Sequence, residues 1–530
     1  MGVRRTAVTR VALSASLAVL LGAGSGGAAA APKARSTLRV ASPLDVQSLD
    51  PALARPLAYA VWYPTCAPLM MFRDTAGPDA FRLRPEGAAR PPSISRDGRT
   101  YVLTVRKGLR FSDGSPLTAA NYALALRRVL NPVMQSEGAA VFADVEQVAA
   151  SGLRLRITLR KPSGDLTMRL ASPFACPVPL GFPTDPGGVE LMVGSGPYHI
   201  ARHVPGKLLV LERNRYYRGK RPHRVDRIVA TIGGDLDDNI RAVENGDADV
   251  LGIEINRESR DALLQRYGLN RRQFFRLHGS AVTALVFNTS RPLFRGNVAL
   301  RKAINFAVDR TEIVRQAHAS PVWFAKTDQI ITRWLPGWKD YDIYPLGGPD
   351  LARAQKLAAG NLRGGKAVLY AAASTPGILD QANVIVRNLH VIGLDVSVRP
   401  MSVDVLNARA GTPGEPYDMI LAPFPPQGYL DPSSMLLRLL GGVNARKPSG
   451  NDNFAYFDNA AFNRKLDAAN RLLPPQRYRA FSRLDAETMR TQAPWAPLFE
   501  NSHTLLVSKR VGCLKLHPAY VRDYAAMCVR

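Results

Sequence analysis

The sequence predicts an α/β protein in which helices cover sheets. In the stretch 153–159, apolar residues alternate with basic or polar ones, a period of two that is typical of a strand with one buried face. Tyr122, Leu126 and Val129 instead recur at the spacing of one helical face. Both patterns recur along a chain of 530 residues, which is long enough for at least two compact units.

Further elements follow in chain order from the same two patterns. Strands are predicted at 101–105, 284–287, 367–372, 396–398 and 418–421. Helices are predicted after the N-cap Thr118, at 300–308, after the capping-box pair Asp309 and Glu312, at 351–359 and at 383–392. Gly279 and the proline-rich stretch 413–426 predict loops between elements rather than linkers between domains.

Composition and charge narrow the class of protein. Hydrophobic residues at 46% and charged residues at 21% are typical of a soluble globular chain. Seventy Lys and Arg against 43 Asp and Glu give a formal charge of +27, which predicts attraction to anionic surfaces. The basic residues are spread along the chain without a zinc-finger or RNP pattern, so nucleic acid is not an expected partner. The anionic cell envelope is the expected electrostatic partner.

The first 31 residues predict a secretory signal peptide. Arg4, Arg5 and Arg10 precede the apolar run 11–21, and small residues follow through Ala31. The run is well short of the roughly 20 residues that cross a bilayer. The arginine pair fits a twin-arginine signal poorly, so the Sec route is favoured. Because no cysteine follows the apolar run, we expect an exported protein, periplasmic or extracellular, without a lipid anchor of its own.

Four cysteines form an even set in a chain predicted to be exported, where disulfides persist: Cys66, Cys176, Cys513 and Cys528. Three pairings are possible, and buried free thiols are the alternative. A bond between Cys513 and Cys528 would close a short terminal loop worth roughly 3 kcal/mol in the chain-entropy estimate. It would leave Cys66 to pair with Cys176. The spacing excludes a CxxC redox or zinc motif.

Catalytic and metal-binding motifs are weak throughout the sequence. The glycine-rich stretch 360–367 has phosphate-loop spacing, but it ends in Ala367 where a hydroxyl is required, and it lies between a helix and a strand. No GxSxG sequence occurs. His199 and His203 stand in an extended segment, where they would be roughly 13 Å apart, and both are expected at the surface. The sequence therefore predicts no enzyme activity, no cofactor and no metal site.

Several ordered blocks carry a family resemblance. They are 46–51, 100–119, 194–198, 211–217, 246–249, 287–289, 301–310 and 429–432. Together they span almost the whole predicted mature chain and resemble the family 5 solute-binding proteins of ABC importers, the group that includes oligopeptide-binding and dipeptide-binding proteins. Many of these blocks are structural by their own chemistry, since Asp113-Gly114 forms a turn and Gly196-Pro197 constrains the backbone.

The resemblance implies a two-lobed periplasmic-binding-protein-like fold of the class II type, in the large cluster with an extra subdomain. The discontinuous lobes would be joined by a hinge, with lobe one at 36–278 and 496–530 and lobe two at 279–495. The extra subdomain would take about 60–190, so that Cys66 and Cys176 stand near its edges while the other two cysteines stand in the returning tail. A ligand would lie between the lobes, and hinge closure rather than chemistry would be the activity.

The resemblance also implies a set of ligand-contacting residues: Asp45, Val46, Gln47, Phe424, Gln427, Gly428, Tyr429 and Asp431. In peptide-binding members, an aspartate three residues before the acidic-Pro pair receives the peptide's α-ammonium. Gly428 occupies that position here. Strand-like pairing with a peptide is also weakened by Pro423, Pro425 and Pro426, which lack N–H donors. Asp45 offers a carboxylate instead, although a solvated loop acid is the simpler interpretation.

The function implied is that of an exported, monomeric substrate-binding component that delivers a peptide or peptide-like solute to a membrane permease. A modified or capped peptide, or another small solute, is the alternative ligand. Two alternative functions are a secreted enzyme on the same scaffold and a cell-envelope interaction protein that has lost import.

Overall fold

Five β-sheets organise the chain in a computed structural model that describes residues 36–55, 59–75, 77–187, 190, 193–317, 321–426 and 428–530. The predicted signal peptide lies outside these residues. The strands are β1 (Thr37–Ser42), β2 (Met70–Phe72), β3 (Leu83–Pro85), β4 (Ser93–Ile94), β5 (Thr100–Thr104), β6 (Val145–Ser151), β7 (Arg154–Leu159), β8 (Tyr198–Val204), β9 (Leu208–Arg213), β10 (Arg227–Ile232), β11 (Val250–Leu251), β12 (Phe274–Phe287), β13 (Ala325–Lys326), β14 (Lys366–Ala372), β15 (Asp395–Met401), β16 (Met419–Phe424), β17 (Trp495–Leu506), β18 (Val511–Gly512) and β19 (Cys528–Val529).

Helices alternate with these strands, as the two periodicities predict. They are α1 (Tyr59–Thr65), α2 (Ala119–Leu130), α3 (Gly138–Val141), α4 (Leu166–Arg169), α5 (Leu236–Asn245), α6 (Arg257–Tyr267), α7 (Val298–Ala307), α8 (Arg310–Ala317), α9 (Leu351–Ala358), α10 (Ile378–His390), α11 (Val403–Ala410), α12 (Ser433–Leu440), α13 (Gly442–Ala445), α14 (Ala460–Arg471) and α15 (Gln476–Thr491). Short 3-10 helices lie at Pro51–Leu53, Pro78–Phe81, Pro132–Met134, Pro173–Ala175 and Pro321–Trp323.

The first large sheet has five strands in the order β11-β1-β10-β9-β8. β1 runs parallel to β10 and β11, whereas β9 is antiparallel to both of its neighbours. One face packs Ala41 and Leu251 against Val243 of α5 and Leu263 of α6, and the other buries Leu38 in the neighbouring core. The parallel strands therefore end at one common edge of the sheet.

The second large sheet has six strands in the order β13-β17-β12-β16-β14-β15. Its two longest strands, β12 and β17, pair antiparallel from Phe274 opposite Leu506 to Val286 opposite Trp495. Helices α7, α9 and α10 contribute Ile304, Ala354 and Ile385 to the core around this sheet. A bridge between Val250 and Val507 connects the end of β17 to the five-stranded sheet.

A separate four-stranded antiparallel sheet, in the order β4-β5-β7-β6, lies within the predicted extra subdomain. Its inner face packs Leu103 and Ile157 against Leu126 of α2. Its outer face exposes Arg154 and Arg156. The alternation that predicts a strand at 153–159 is therefore confirmed, because the apolar positions all point at α2.

Cap chemistry fixes several helix starts. α2 begins directly after Thr118, whose backbone N–H donates to Asn121 Oδ1 at 2.9 Å. Asp309 Oδ1 accepts from the N–H groups of Thr311 at 3.0 Å and Glu312 at 2.9 Å, so α8 begins where the capping-box pair predicts. The helix predicted from 383 begins earlier, at Ile378.

The structure places the four cysteines in two pairs. Cys66 and Cys176 have Cα atoms 5.6 Å apart, and Cys513 and Cys528 have Cα atoms 5.5 Å apart, each pair joined as a disulfide. This is one of the three arrangements that the sequence leaves open. The first bond ties α1's end to the segment after the four-stranded sheet, and the second closes the terminal β18–β19 pair.

Two predicted loops are wrong. Gly279 lies inside β12, at a register shift where an added Cβ would stand 2.6 Å from the Asn501 carbonyl oxygen. Glycine is needed there because two backbones approach closely. The stretch 413–426 contains β16, including Pro423. β14 pairs with only the first part of β16, so Pro423 has a strand on one side alone, where a missing N–H is tolerated.

A tight backbone contact joins the predicted extra subdomain at 60–190 to the chain around the six-stranded sheet. Because it contains the four-stranded sheet, this subdomain is named the four-stranded unit. The Gly164 N–H donates to the Asn470 carbonyl oxygen at 2.8 Å. A Cβ added at Gly164 would lie 1.9 Å from the Leu472 carbonyl oxygen. Since that atom is backbone, relief would require one of the two segments to move.

We predict that Gly164→Ala lowers the free energy of unfolding by about 1–3 kcal/mol, because the new methyl group overpacks this contact. Gly181→Ala is the matched control, because a Cβ there meets nothing within 4 Å, and its effect should stay within about 0.5 kcal/mol. Urea unfolding followed by circular dichroism measures both. Equal stability of the two variants would show that the contact is not as tight as described.

Candidate functional site

A pocket lies at the edge where the parallel strands β1, β10 and β11 end. Its walls are mostly apolar, and its cavity of about 50 Å³ is partly open to solvent. The lining residues are Val40, Ser42, Leu44, Asp45, Val46, Ala60, Val61, Leu209, Ala230, Ile232, Gly252 and Tyr524. The carboxyl ends of parallel strands are the usual place for ligands in open α/β sheets. Asp45 and Val46, both predicted from the sequence, line this pocket.

The Asp45 carboxylate is held by three donors of its own chain. Its oxygens lie 2.7 Å from the Val46 N–H, 2.8 Å from the Gly206 N–H and 3.1 Å from His203 Nε2. The other ring nitrogen of His203 lies 2.6 Å from Glu190 Oε1. Asp45 remains 20% exposed, so it faces the pocket with part of its hydrogen-bonding capacity already used.

His203 differs from the sequence expectation of a surface residue. Its side chain is only 5% exposed, because it packs between the two carboxylates of Asp45 and Glu190. Burial by itself would lower the pKa of His203, but the hydrogen bonds to both acids outweigh it and raise the pKa above the ordinary value. The imidazolium form, which donates to both acids, is thereby favoured. His199 has intermediate exposure.

The second predicted segment does not meet the first at this pocket. The Phe424 ring is buried and lies 4.5 Å, centroid to centroid, from the Trp495 ring. Gly428 has φ +73°, and a Cβ there would stand 2.7 Å from a Val141 methyl carbon. Gly428 thus allows close packing on the four-stranded unit. Gln427 lies outside the described residues.

The remaining predicted positions have different surroundings. Gln47 is exposed. The Tyr429 hydroxyl donates to Asp165 Oδ2 at 3.0 Å, and Asp431 is buried against Arg477. Tyr429 and Asp431 therefore take part in contacts within the protein in this structure.

A buried ionic cluster joins the four-stranded unit to the segment after β16. Its members are Asp165, Arg169, Asp431 and Arg477. Arg477 Nη2 lies 3.0 Å from Asp431 Oδ1 and 3.3 Å from Asp165 Oδ2. Arg169 Nη2 lies 2.9 Å from Asp165 Oδ1. None of the four side chains is more than 4% exposed. Two acids and two guanidinium groups thus neutralise one another away from water.

The charges in this cluster depend on each other. Burial would raise the pKa of Asp165, but Arg169 and Arg477 outweigh that effect and hold the pKa well below its usual range. Burial by itself would lower the pKa of Arg477, but the two aspartates outweigh that effect and raise the pKa. Sequence reasoning missed Asp165 and Arg477, because no local spacing brings residues more than 300 positions apart together.

Among the described residues, no three His, Cys, Asp or Glu side chains cluster in a way that would hold a metal ion. Within the same part of the chain, no helix combines the length and apolarity needed to cross a bilayer.

Comparison with known proteins decides the family. The profile of "Bacterial extracellular solute-binding proteins, family 5 Middle" matches residues 82–447, more than half of the chain. The chain belongs to this family. It is a solute-binding protein. Its α/β fold with discontinuous sheets is that of the family's periplasmic binding proteins, which confirms the fold class predicted from the sequence. The proteins it resembles are binding proteins rather than enzymes.

Individual relatives are distant but cover most of the chain. "Protein XP55" of Streptomyces lividans is 27% identical over 436 residues, which cover 77% of this chain and 73% of the relative. "Heme-binding protein A" of Haemophilus influenzae is 24% identical over 458 residues, 79% of each chain. The structure of "Clavulanic acid biosynthesis oligopeptide binding protein 2" superposes with a TM-score of 0.81 at 24% identity, covering 93% of this chain and 96% of the other.

Removing one member of the buried cluster should be costly. We predict that Arg477→Met lowers the free energy of unfolding by about 3–5 kcal/mol, because Asp165 and Asp431 would lose a shared cation without access to water. Lys465→Met is the matched control, since Lys465 pairs with Glu487 at the surface, and it should lose about 0–1 kcal/mol. Denaturant unfolding measures both, and a loss at Arg477 no larger than at Lys465 would contradict the stabilising role.

Proposed function

We propose that this chain captures a peptide or peptide-like solute between two lobes and passes it unchanged to an ABC permease in the membrane. The observation that carries the proposal is the apolar pocket at the carboxyl ends of β1, β10 and β11 in a member of a solute-binding family. Its single carboxylate, Asp45, provides one polar contact beside the apolar walls. A pocket with this lining favours an apolar group of the ligand, with a polar group of the ligand at Asp45.

The proposed lobes follow the sequence boundaries 36–278 with 496–530, and 279–495. In support, the five-stranded sheet draws all its strands from the first set of residues. Strands β13 to β16 of the six-stranded sheet come from the second set, and β12 and β17 cross the two boundaries. Closure would bring both lobes onto the ligand, and its energy would come from contacts made only in the closed form.

The ligand is proposed to be a peptide that does not depend on the usual ammonium acceptor, such as a capped or modified one. Gly428 supplies no carboxylate at that position, and the space beside it is filled by Val141 and Phe174. Asp45 is then the candidate acceptor for a cationic or hydrogen-bond-donating group. The oligopeptide-binding name of a structural neighbour is consistent with this ligand class.

Export, retention and assembly are part of the same proposal. The predicted signal peptide at 1–31 would direct the chain out of the cytoplasm, where the two disulfides would persist. The formal charge of +27 would favour contact with the anionic envelope. The protein would act as a monomer with a membrane permease as its partner.

We predict that mass spectrometry of material released by denaturing the purified protein detects a peptide or peptide-like compound. Adding that compound back to stripped protein should raise the melting temperature, because a ligand that binds only the folded state stabilises it. The compound should be recovered intact after incubation. Recovery of a converted product would contradict a pure binding function.

A pocket-filling substitution tests the location. Ala230→Leu places three extra carbons against the pocket wall, and we predict that it weakens binding of the recovered compound at least about tenfold, a change of about 1.4 kcal/mol. Ala149→Leu is the matched control, because Ala149 pairs with exposed Arg156 on the outer face of the four-stranded sheet. Isothermal titration measures both, and equal affinities would place the ligand elsewhere.

A further inference from the structure

Two arginines and a histidine come together near the start of β12. Arg276 and His278 are two residues apart in β12, so both extend from the same face of the strand. Arg333 belongs to the segment after β13. The preceding residue, Thr332, donates from Oγ1 to the Ser280 carbonyl oxygen at 3.3 Å, which lays this segment across β12 beside His278. The cationic cluster consists of Arg276, His278 and Arg333.

An indole ring lies beside His278. The centroid of the Trp334 ring lies 5.7 Å from that of His278 and 6.2 Å from that of Phe81. The Trp334 indole N–H donates to the Pro518 carbonyl oxygen at 3.4 Å. Phe81 and Pro518 lie in the residues proposed for lobe one and Trp334 in those proposed for lobe two. The cluster therefore stands at a junction between the proposed lobes.

The positive charge of the cluster is only partly neutralised. Glu500 is fully buried, and its carboxylate accepts from the backbone N–H and from Nε of Arg333, each at 3.0 Å. Arg276 donates to the Val322 carbonyl oxygen. Within the described residues, Arg276 forms no ion pair and the His278 ring forms no hydrogen bond. Among the described residues, Glu500 thus pairs with Arg333 and leaves the charge of Arg276 without a carboxylate partner.

Burial and the neighbouring positive charges lower the pKa of two of these groups, Arg276 and His278. Burial, followed by the charges of Arg276 and Arg333, lowers the pKa of His278. Burial and the charge of Arg333 likewise lower the pKa of Arg276. Burial raises the pKa of Glu500 to about 7, against the opposing effect of Arg333, so Glu500 is a weak source of compensating charge. A negative charge placed beside Arg276 and His278 would be stabilised.

We propose that Arg276 and His278 form a subsite that selects ligands carrying a carboxylate, held beside the Trp334 ring. The guanidinium of Arg276 would bind the carboxylate through charge-assisted hydrogen bonds, and His278 would donate from its ring. Trp334 would limit access of water to the ion pair. This inference rests on the proposed function, since it concerns which solute is selected. Asp45 lies in a different pocket and carries the opposite charge.

The test uses the purified full-length protein, stripped of endogenous ligand by unfolding and refolding with its disulfides intact. The probes are C-terminally amidated tetraalanine and four equally amidated tetrapeptides in which one alanine is replaced by glutamate. Isothermal titration should show that at least one glutamate peptide binds about tenfold or more tighter than tetraalanine, as expected for hydrogen bonds to a charged group. The double variant Arg276→Gln with His278→Gln should reduce that preference to about twofold or less.

Two further variants separate charge from folding. Arg154→Gln removes an exposed arginine from the outer face of the four-stranded sheet and should keep the full preference. Arg276→Lys retains the charge and should keep part of it. If the double variant is too unstable to purify, each single glutamine variant is titrated instead, and each should lower the preference.

The outcomes distinguish this inference from the proposed function. If all five peptides bind wild-type protein equally, the anionic subsite is wrong while peptide binding stands. An unchanged preference in the glutamine variants also overturns it. If no peptide binds, glutarate is titrated alone: a rise in melting temperature for wild type and Arg154→Gln but not for the double variant supports the subsite while the peptide proposal fails. No effect of glutarate overturns both.

Discussion

The antiparallel pairing of β12 with β17 is the constraint on which the rest of the molecule depends. From Phe274 opposite Leu506 to Val286 opposite Trp495, one ladder of backbone hydrogen bonds spans the centre of the six-stranded sheet and reaches the five-stranded one. A broken ladder would leave buried backbone groups unpaired. The ladder is irregular at the register shift beside Gly279.

The buried ionic cluster forms a second contact, between the four-stranded unit and the segment after β16. Arg477 lies between Asp165 and Asp431, and these groups come from segments far apart in the chain. Two buried aspartates need the guanidinium as a paired cation, because they have no access to water. The contact therefore depends on a defined geometry of these charged groups. Gly164 and Gly428, which stand at neighbouring contacts, keep the backbones close enough for that geometry.

Family membership and local chemistry answer different questions about this protein. The family establishes that the chain binds a solute, because the matched region covers most of its length. Which solute it binds depends on the side chains of its own site. Here the loop at Gly428 fits against Val141 and offers no acid, while Asp45 lines an apolar pocket and is partly satisfied by His203.

The sequence by itself determined the α/β class, the order of most elements and several helix starts, since alternation at 153–159 and caps such as Asp309 act through neighbouring residues. It also singled out Asp45 and Val46, which stand shortly after β1 and line the pocket. Only the tertiary structure decided that His203 lies between two acids and that Arg477 holds Asp165 and Asp431. Those partners come together through sheet pairing and packing, and residues hundreds of positions apart leave no local pattern that announces their contact.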